Sequence, residues 1–310
     1  MAWNDALIAT TLDNYLGGGT LADNVSSQIA LYAFLKSKDR VTEDGGVTIR
    51  EPLLYALNNT VSSYSGYDTI DVTPQDGIGY AEYQWRDLAG SITISLDDEL
   101  KNNGDSAVVK LLQAKVDQLE LSFTETLNTM FYGAGTGNGG KDFLGLQAIV
   151  DNTGTLGGID GAVETWWQSE IDANMDISAD IDELNTLYNS VTRGRDMPDF
   201  EVTTQAGYEK YENLARPSLR YTSTKLADMG FQSLAHKGAD ITFDDDCPAG
   251  NWFLLNSRHL KLVTHQDAWM RRLDFVRPHN QVARTALVVS MGNLITNNRR
   301  MQARAKALTL

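Results

Sequence analysis

The sequence has little cysteine, little proline and few basic residues, and each shortage excludes a class of protein. Its 310 residues include one cysteine, which excludes an internal disulfide framework and a cysteine-rich zinc site. Six prolines beside 26 glycines, with 42% hydrophobic and 22% charged residues, describe a folded chain that is neither disordered nor collagen-like. This length allows about two structural units of typical size.

Long hydrophobic runs are also missing from the sequence. The longest late apolar cluster, residues 286–289, has the size of a strand, whereas a membrane helix needs roughly 18 apolar residues. Residues 1–16 lack a positively charged start followed by an apolar stretch, which predicts that there is no secretory signal. We therefore expect a soluble protein with no membrane partner, made in a cytoplasm.

The shortage of basic residues gives the chain a formal charge of -15, from 26 Lys and Arg against 41 Asp and Glu. Such a surface repels polyphosphate and argues against a sequence-independent nucleic-acid binder. The charge is uneven: residues 1–100 hold five basic and fifteen acidic residues, whereas residues 271–310 hold eight basic residues and one acid. These ends can pair within one molecule, or the head of one copy can meet the tail of another.

Residue patterns in the first half predict a long hairpin followed by a long helix. Between residues 45 and 95, short extended segments rich in aromatic residues are interrupted by turn signals such as the PQDG sequence at 74–77. From Asp105 to Tyr132 there is no Pro or Gly, and apolar residues recur every three or four positions. This pattern predicts an amphipathic helix on the order of 40 Å long, capped by Asp105 or Ser106 and ended by Gly133.

The second half of the chain predicts a shorter helix and several strands. The helix begins at a Ser178 cap and runs to Val191, with acidic residues in its first turn. Strands are expected at residues 252–255, 260–263, 273–276 and 282–290. A last strand is expected to have one small apolar face and one basic face, because Met301, Ala303 and Ala305 alternate with Arg300, Gln302, Arg304 and Lys306.

Two glycine patterns match phosphate-binding motifs, but their context argues against that chemistry. Gly135-x-Gly137-x-x-Gly140 fits a dinucleotide fingerprint, and Gly135 to Lys141 fits most of a P-loop. Both motifs need a strand before the loop and a helix after it, whose N-terminal N–H groups hold the phosphate. Here a helix precedes the loop, and Asp142 takes the place of the magnesium-binding Ser or Thr. A helix-ending loop is favoured, and a nucleotide-dependent enzyme stays open as an alternative.

Other reactive side chains form no recognisable site. Asp244, Asp245 and Asp246 could bind a hard cation, although a solvated turn is favoured. The four histidines have no metal-ligand spacing, and Cys247 has no basic neighbour in the sequence that would activate it. No Gly-x-Ser-x-Gly elbow is present. We therefore expect no enzyme, no metal site and no cofactor.

Several segments, taken in order along essentially the whole chain, point to one protein family. ATTLDNYL and LADNVSS come first, followed by DGGVTIREPLLYALN, YSGYDTIDVTPQDGI and AEYQWRDLAGSITIS. GGKDFLGLQAIV, WWQS, LADMGFQSLAHKGADITFDDDCPAGNWFLLN and GNLITNNRRMQA complete the series. This series resembles the major capsid proteins of tailed bacteriophages with the Hong Kong 97-type fold.

The resemblance implies an α+β capsid fold with five parts. These are an N-terminal arm at 1–44, an extended E-loop at 45–96, a peripheral domain at 97–149 with its spine helix at 105–132, an axial domain at 150–265, and return strands of the peripheral domain at 266–310. Some relatives join an E-loop lysine to a neighbour's asparagine. That crosslink cannot form here, because the sequence has no lysine between Arg40 and Lys101.

The resemblance also implies a structural function. Pentamers and hexamers of the chain would tile an icosahedral shell of the virion that encloses double-stranded DNA without sequence-specific binding. The expected partners are a separate scaffolding protein, a portal and possible decoration or cement proteins, and synthesis would occur in a host bacterial cytoplasm. An encapsulin-like compartment, which loads cargo enzymes instead of a genome, is the alternative within the same fold.

The E-loop of this family lies over the neighbouring subunit, which implies a set of contact residues here. On the E-loop these are Tyr80, Tyr83, Trp85, Arg86 and Asp87. We further expect the acidic arm and E-loop of one subunit to dock on the basic C-terminal strands of another, through Arg300 and Arg304.

Overall fold

The computed structural model of the protein describes residues 29–95, 105–215, 234–277, 279 and 282–310. The predicted arm before residue 29, the junction at 96–104 and the segment 216–233 lie outside the described residues, and with them the motifs ATTLDNYL, LADNVSS and LADMGFQS. The cap predicted at Asp105 or Ser106 lies outside the described side chains.

Helices and strands alternate irregularly along the chain. The helices are α1 (Ala30–Ser37), α2 (Asp105–Tyr132), the single turns α3 (Gly137–Gly140) and α4 (Leu146–Ile149), α5 (Asp182–Ser190) and α6 (Gln205–Ala215), with 3₁₀ turns at Thr165–Trp167 and Arg299–Met301. The strands are β1 (Val41–Asp44), β2 (Ile49–Leu54), β3 (Ile78–Tyr83), β4 (Arg86–Ser95), β5 (Thr155–Leu156), β6 (Ile159–Asp160), β7 (Glu170–Asp172), β8 (Phe200–Thr203), β9 (Leu234–His236), β10 (Ala239–Phe243), β11 (Trp252–Leu255), β12 (Leu260–His265), β13 (Arg271–Arg272), β14 (Ala283–Thr296) and β15 (Ala303–Ala305).

Helix α2 has the predicted bounds and spans 28 residues. Its apolar stripe packs inward: Val116, Phe123 and Leu127 are buried, and Leu119 is partly buried against the same core. The chain leaves the helix at Gly133, whose N–H donates to the Met130 carbonyl. The spacing of apolar residues therefore determines which face of this rod lies on the sheet below it.

That sheet has five strands and is organised by β14. The order is β1-β12-β14-β13, and β4 pairs with β14 in antiparallel register from Ser95 opposite Ala283 to Arg86 opposite Gly292. Alternate residues of the β4–β14 pair, Ile92 and Ile94 with Ala286 and Val288, are buried in the core under α2. Because successive side chains of a strand point to opposite sides, these apolar residues form one face of the sheet, which packs on the core.

The second sheet has six strands in the order β7-β15-β11-β8-β10-β9, and both of its faces are covered. Phe200 and Phe253 point into the core shared with α1 and α2, and Phe34 of α1 stacks on Phe200 with ring centroids 4.2 Å apart. Trp252 and Leu254 point the other way, into a core closed by α5 and α6. The strand residues of β8 and β11 are accordingly all buried.

The predicted hairpin is present, but it is shorter than the span 45–95. Strands β2 and β3 pair in antiparallel register from Ile49 opposite Tyr83 to Leu54 opposite Ile78, and we call this ribbon the hairpin base. Residues 55–77 connect the two strands without forming a strand of their own, and we call them the hairpin tip. Strand β4 leaves the hairpin and joins the five-stranded sheet.

Gly157, in the turn between β5 and β6, fits closely against the hairpin base. Its φ is +61°, and a Cβ there would lie 2.7 Å from the Cβ of Ala81. We expect Gly157→Ala to lower the free energy of unfolding by about 3 kcal/mol, from left-handed strain plus overpacking. Gly158→Ala is the matched control. It has a φ of +80° but open space around its Cβ, so it should cost only about 1 kcal/mol. Equal losses in urea unfolding would show that the contact with Ala81 contributes nothing.

Four predicted element bounds are wrong by a few residues. The strand predicted at 260–263 is β12, which continues to His265. Helix α5 begins at Asp182, because the Asp180 carboxylate, and not Ser178, accepts from the N–H of Asp182. The strand expected at 273–276 does not form: β13 ends at Arg272, and the expected range keeps only an isolated bridge between Val276 and Thr285. Strand β14 continues six residues beyond Ser290 because β12 supplies new partners there.

The basic face predicted for the last strand is also wrong. Strand β15 lies between β7 and β11, so all three of its residues are buried, and Arg299 before it is fully buried in a 3₁₀ turn. The predicted domain division at residue 265 stays a prediction, and both sheets take strands from either side of it. Strand β12 belongs to the five-stranded sheet, whereas β15 returns to the six-stranded one.

Candidate assembly interface

The hairpin base is held to the rest of the subunit by specific contacts. The Tyr83 hydroxyl donates to the Thr296 carbonyl at 2.6 Å, and the N–H of Glu82 donates to the Gly157 carbonyl at 2.9 Å. The Glu51 carboxylate lies 2.6 Å from the Lys261 ammonium. These contacts fix the direction in which the hairpin leaves the subunit.

The hairpin tip, by contrast, exposes large apolar side chains. Those that are more than half exposed are Leu57, Val61, Tyr64, Tyr67, Ile70 and Val72. Local turns shape this segment: the Asp71 carboxylate accepts from the hydroxyl and from the N–H of Thr73, and these two hydrogen bonds lower the pKa of Asp71. A cluster of large apolar side chains that the described residues leave exposed is typical of a protein contact surface.

The tip carries charge of one sign as well. No Lys or Arg occurs between Arg50 and Arg86, whereas Asp68, Asp71 and Asp76 all lie in the tip. Where the tip meets its own subunit, Tyr55 stacks on Trp166 with ring centroids 5.4 Å apart. Partial desolvation and the nearby Asp76 raise the pKa of Tyr55. A partner for the tip should therefore offer apolar area together with positive charge.

The predicted contact residues of the hairpin region differ in exposure. Tyr80 is 58% exposed and Asp87 is exposed. Trp85 is half-buried and donates from its indole N–H to the Gly46 carbonyl at 2.9 Å, and the half-buried Arg86 guanidinium donates to the Gly140 carbonyl. The expectation that Tyr83 is exposed is wrong: it is 2% exposed, because it alternates with Tyr80 along β3 and faces inward.

The two predicted C-terminal contact residues also differ. Arg300 is exposed on the 3₁₀ turn before β15. Arg304 is only 8% exposed: its Nε donates to the Asn251 side-chain oxygen at 2.8 Å, and its guanidinium lies over the Phe253 ring. Its contacts are therefore within the subunit. The apolar residues of the tip were not predicted, although the absence of basic residues from 51 to 85 marks that segment.

The glycine-rich loop lacks the arrangement that phosphate motifs need. It follows the C-terminus of α2, and α3 is a single turn in which Asn138 and Gly139 both have positive φ. The side chain of Asp142 lies against Gly137, within 1.8 Å of where a Cβ would be. The loop thus ends a helix, as predicted, and is not presented at the N-terminus of a long one.

The Asp244–Asp246 turn links α2 to the six-stranded sheet. The Asn128 amide donates to the carboxylates of Asp244 and Asp246, at 2.8 Å in both cases. Burial raises the pKa of Asp244. Within the described residues, no group of three or more His, Cys, Asp or Glu side chains is arranged to hold a metal ion.

Cys247 is the next residue, and it is buried. Burial and the nearby Asp244 raise the pKa of its thiol far above neutral, which agrees with the prediction of an unreactive cysteine. None of the described helices is long and apolar enough to span a membrane.

Comparison with known proteins gives matches in structure but not in sequence. No protein-family model matches the chain, and a search of curated proteins gives no match. The capsid of cyanophage A-1(L) superposes with a TM-score of 0.65 at 14% identity, over 88% of this chain and 91% of that chain. The procapsid of satellite phage P4, which includes a size-determination protein, gives 0.53 at 10% identity over 94% and 90%. An encapsulin from Synechococcus elongatus gives 0.54 at 12% identity over 87% and 85%.

These matches cover nearly the whole of each chain. The protein therefore has the fold that phage capsid and encapsulin shell proteins share, and the prediction of an α+β Hong Kong 97-type fold is confirmed.

Proposed function

We propose that the protein is the major capsid protein of a tailed phage, and that its pentamers and hexamers form an icosahedral shell around double-stranded DNA. The observation that carries this proposal is the hairpin. Its base is fixed by Tyr83, Glu82 and Glu51, whereas its tip exposes apolar side chains that none of the described residues of the subunit covers. In an assembly such a tip gains a partner on a neighbouring subunit.

The parts of the fold then take the roles that the sequence resemblance implied. The hairpin base and the hairpin tip form the E-loop, α2 is the spine helix of the peripheral domain, and the six-stranded sheet forms the centre of the axial domain. The acidic chain suits a container, because a wall that attracted DNA strongly would oppose its entry and release. A scaffolding protein, a portal and possible decoration proteins complete the proposed assembly.

The charge of the tip indicates which surface of the neighbour receives it. The tip is acidic, and exposed Arg277 and Arg300 lie in the basic segment 271–310. The double substitution Arg277→Glu and Arg300→Glu should raise the protein concentration needed for assembly roughly tenfold at low salt, and less at high salt. Arg193→Glu, at an exposed site outside this segment, is the control. An unchanged threshold in the double variant would contradict charge-guided docking.

Electron microscopy of the expressed protein, alone and with a scaffolding protein encoded beside it, tests the proposed function. Closed shells would support it, and a protein that stays monomeric under all these conditions would contradict it. The encapsulin-like alternative has the same fold, so the contents of native particles must decide. A genome and a portal vertex would identify a capsid, whereas cargo enzymes would identify a compartment.

A further inference from the structure

A chain of polar contacts joins the hairpin base to the turn before β8. Glu51 of β2 accepts from the Lys261 ammonium at 2.6 Å and from the Asn297 side-chain NH₂ at 3.4 Å. The oxygen of the same Asn297 amide lies 2.8 Å from Nδ1 of His259. Nε2 of His259 lies 2.6 Å from a carboxylate oxygen of Asp196. One imidazole ring thus sits between the hairpin and the six-stranded sheet.

The donors and acceptors of this chain determine the state of the ring. A carboxylate only accepts hydrogen bonds, so Glu51 requires the NH₂ group of Asn297, whose oxygen then faces Nδ1 of His259. Asp196 is also a carboxylate: burial by itself raises its pKa, but hydrogen bonds from His259 and Asn256 outweigh this and lower the pKa. In this orientation of Asn297 both ring nitrogens face acceptors, and an imidazolium ring, which donates from both nitrogens, satisfies both contacts.

Charged and titratable groups lie at both ends of this chain of contacts. These groups are two carboxylates, two cations and one phenol. Asp196 contacts the ring, and Arg258 lies 3.9 Å from the Asp196 carboxylate. Glu51 and Lys261 form an ion pair beyond Asn297, and the Tyr83 hydroxyl donates to the Thr296 carbonyl next to Asn297. The carboxylates and cations balance one another. The phenol stays neutral, because burial raises the pKa of Tyr83 far above neutral.

Loss of the ring proton changes what Asn297 can do. A neutral imidazole has one N–H, and the short contact with the ionised Asp196 holds that proton on Nε2. Nδ1 then accepts, so Asn297 must turn its NH₂ group toward the ring and its oxygen toward Glu51. We propose that His259 and Asn297 form a proton-dependent link to the hairpin base, which is closed when His259 is protonated and opens as the pH rises.

The orientation of the Asn297 amide, and not the charge of the ring alone, determines whether Asn297 can donate a hydrogen bond to Glu51. With the proton bound, Asn297 donates to Glu51 and helps Lys261 hold β2. Without it, an amide oxygen faces a carboxylate, and the hairpin base loses one hydrogen bond. Hydrogen exchange of β2 and β3 should therefore be faster above neutral pH, after correction for the intrinsic pH dependence of exchange.

The experiment compares the purified, unassembled protein at about pH 6 and about pH 8, on either side of the range in which histidine titrates. We expect exchange at the hairpin base to be roughly fivefold faster at the higher pH, the effect of one ordinary hydrogen bond. His259→Gln should remove this difference, because its amide does not titrate. Glu51→Gln should also remove it, because a carboxamide can pair with either orientation of Asn297.

His265→Gln is the matched control. His265 lies at the end of β12 and contacts Trp85 beside the hairpin, with ring centroids 5.3 Å apart, but it is not among the side chains that bond Asn297. It should leave the pH difference intact. A wild-type hairpin with equal protection at both pH values would overturn the proposal, as would a difference that survives in Glu51→Gln. The measurement is made on single subunits, so its outcome is independent of whether shells form.

Discussion

Replacing the apolar side chains of the hairpin tip by serine should prevent shell formation while leaving the subunit folded. The variant combines Leu57→Ser, Val61→Ser, Tyr64→Ser and Val72→Ser. All four side chains are exposed in the subunit, so each change should alter the free energy of unfolding by less than about 0.5 kcal/mol. In an assembly the same side chains would be buried against the neighbouring subunit. Replacing them would therefore weaken the contact between subunits and not the subunit itself.

The expected effect on assembly is large because each subunit contributes a tip. At about 25 cal/mol per Å² of apolar area, losing even about 80 Å² per contact removes about 2 kcal/mol. That loss raises the threshold concentration for assembly roughly thirtyfold per contact. Light scattering and sedimentation velocity would measure the threshold, and thermal unfolding of the unassembled subunit would confirm that it remains folded.

Ser62 and Ser63 provide the matched control for the tip, since both are exposed in the same segment. Changing them to alanine removes hydroxyl groups but no apolar area, so assembly should proceed at the wild-type concentration. If the four-serine variant also assembled at that concentration, the tip would not be the contact that builds the shell.

The sequence predicts some elements of this fold well because their signals are local. Helix α2 has its predicted bounds, since 28 residues without Gly or Pro and an apolar spacing of three and four leave few alternatives. Strand β11 was placed correctly for a similar reason, because Trp252 to Leu255 form a short, continuous apolar run. The overall fold came from the order of many short segments, none of which is diagnostic by itself.

Features that depend on distant partners could not be predicted from local patterns. The sequence cannot show that β15 lies inside a sheet covered on both faces, so Arg304 looked like part of a basic surface. Tyr83 and Tyr80 are three residues apart, so on one strand they must face opposite ways, but only the packed structure shows which of them is inside. The link through His259 and Asn297 joins residues 38 positions apart and has no sequence signature.

Arg299 gives the largest expected effect on stability. Its side chain is fully buried, and its guanidinium donates to the carbonyls of Ile149, Ala148 and Thr153, which hold the chain after α4 against the turn before β15. Arg299→Ala should lower the free energy of unfolding by about 3 to 4 kcal/mol, because it removes three hydrogen bonds from a buried guanidinium to carbonyls and opens a cavity. Urea unfolding followed by circular dichroism would measure the loss.

Arg300→Ala is the matched control, because it removes the same charge from an exposed position. Arg300 is exposed, so Arg300→Ala should change stability by less than about 0.5 kcal/mol, although the two residues have the same charge. Arg299→Lys should recover only part of the loss, because an ammonium group does not have the planar fork that reaches several carbonyls at once. Burial also lowers the pKa of Arg299, so its charge carries a cost that these hydrogen bonds and the nearby Asp151 carboxylate offset. Equal losses for the two alanine variants would show that the buried guanidinium is not what joins these segments.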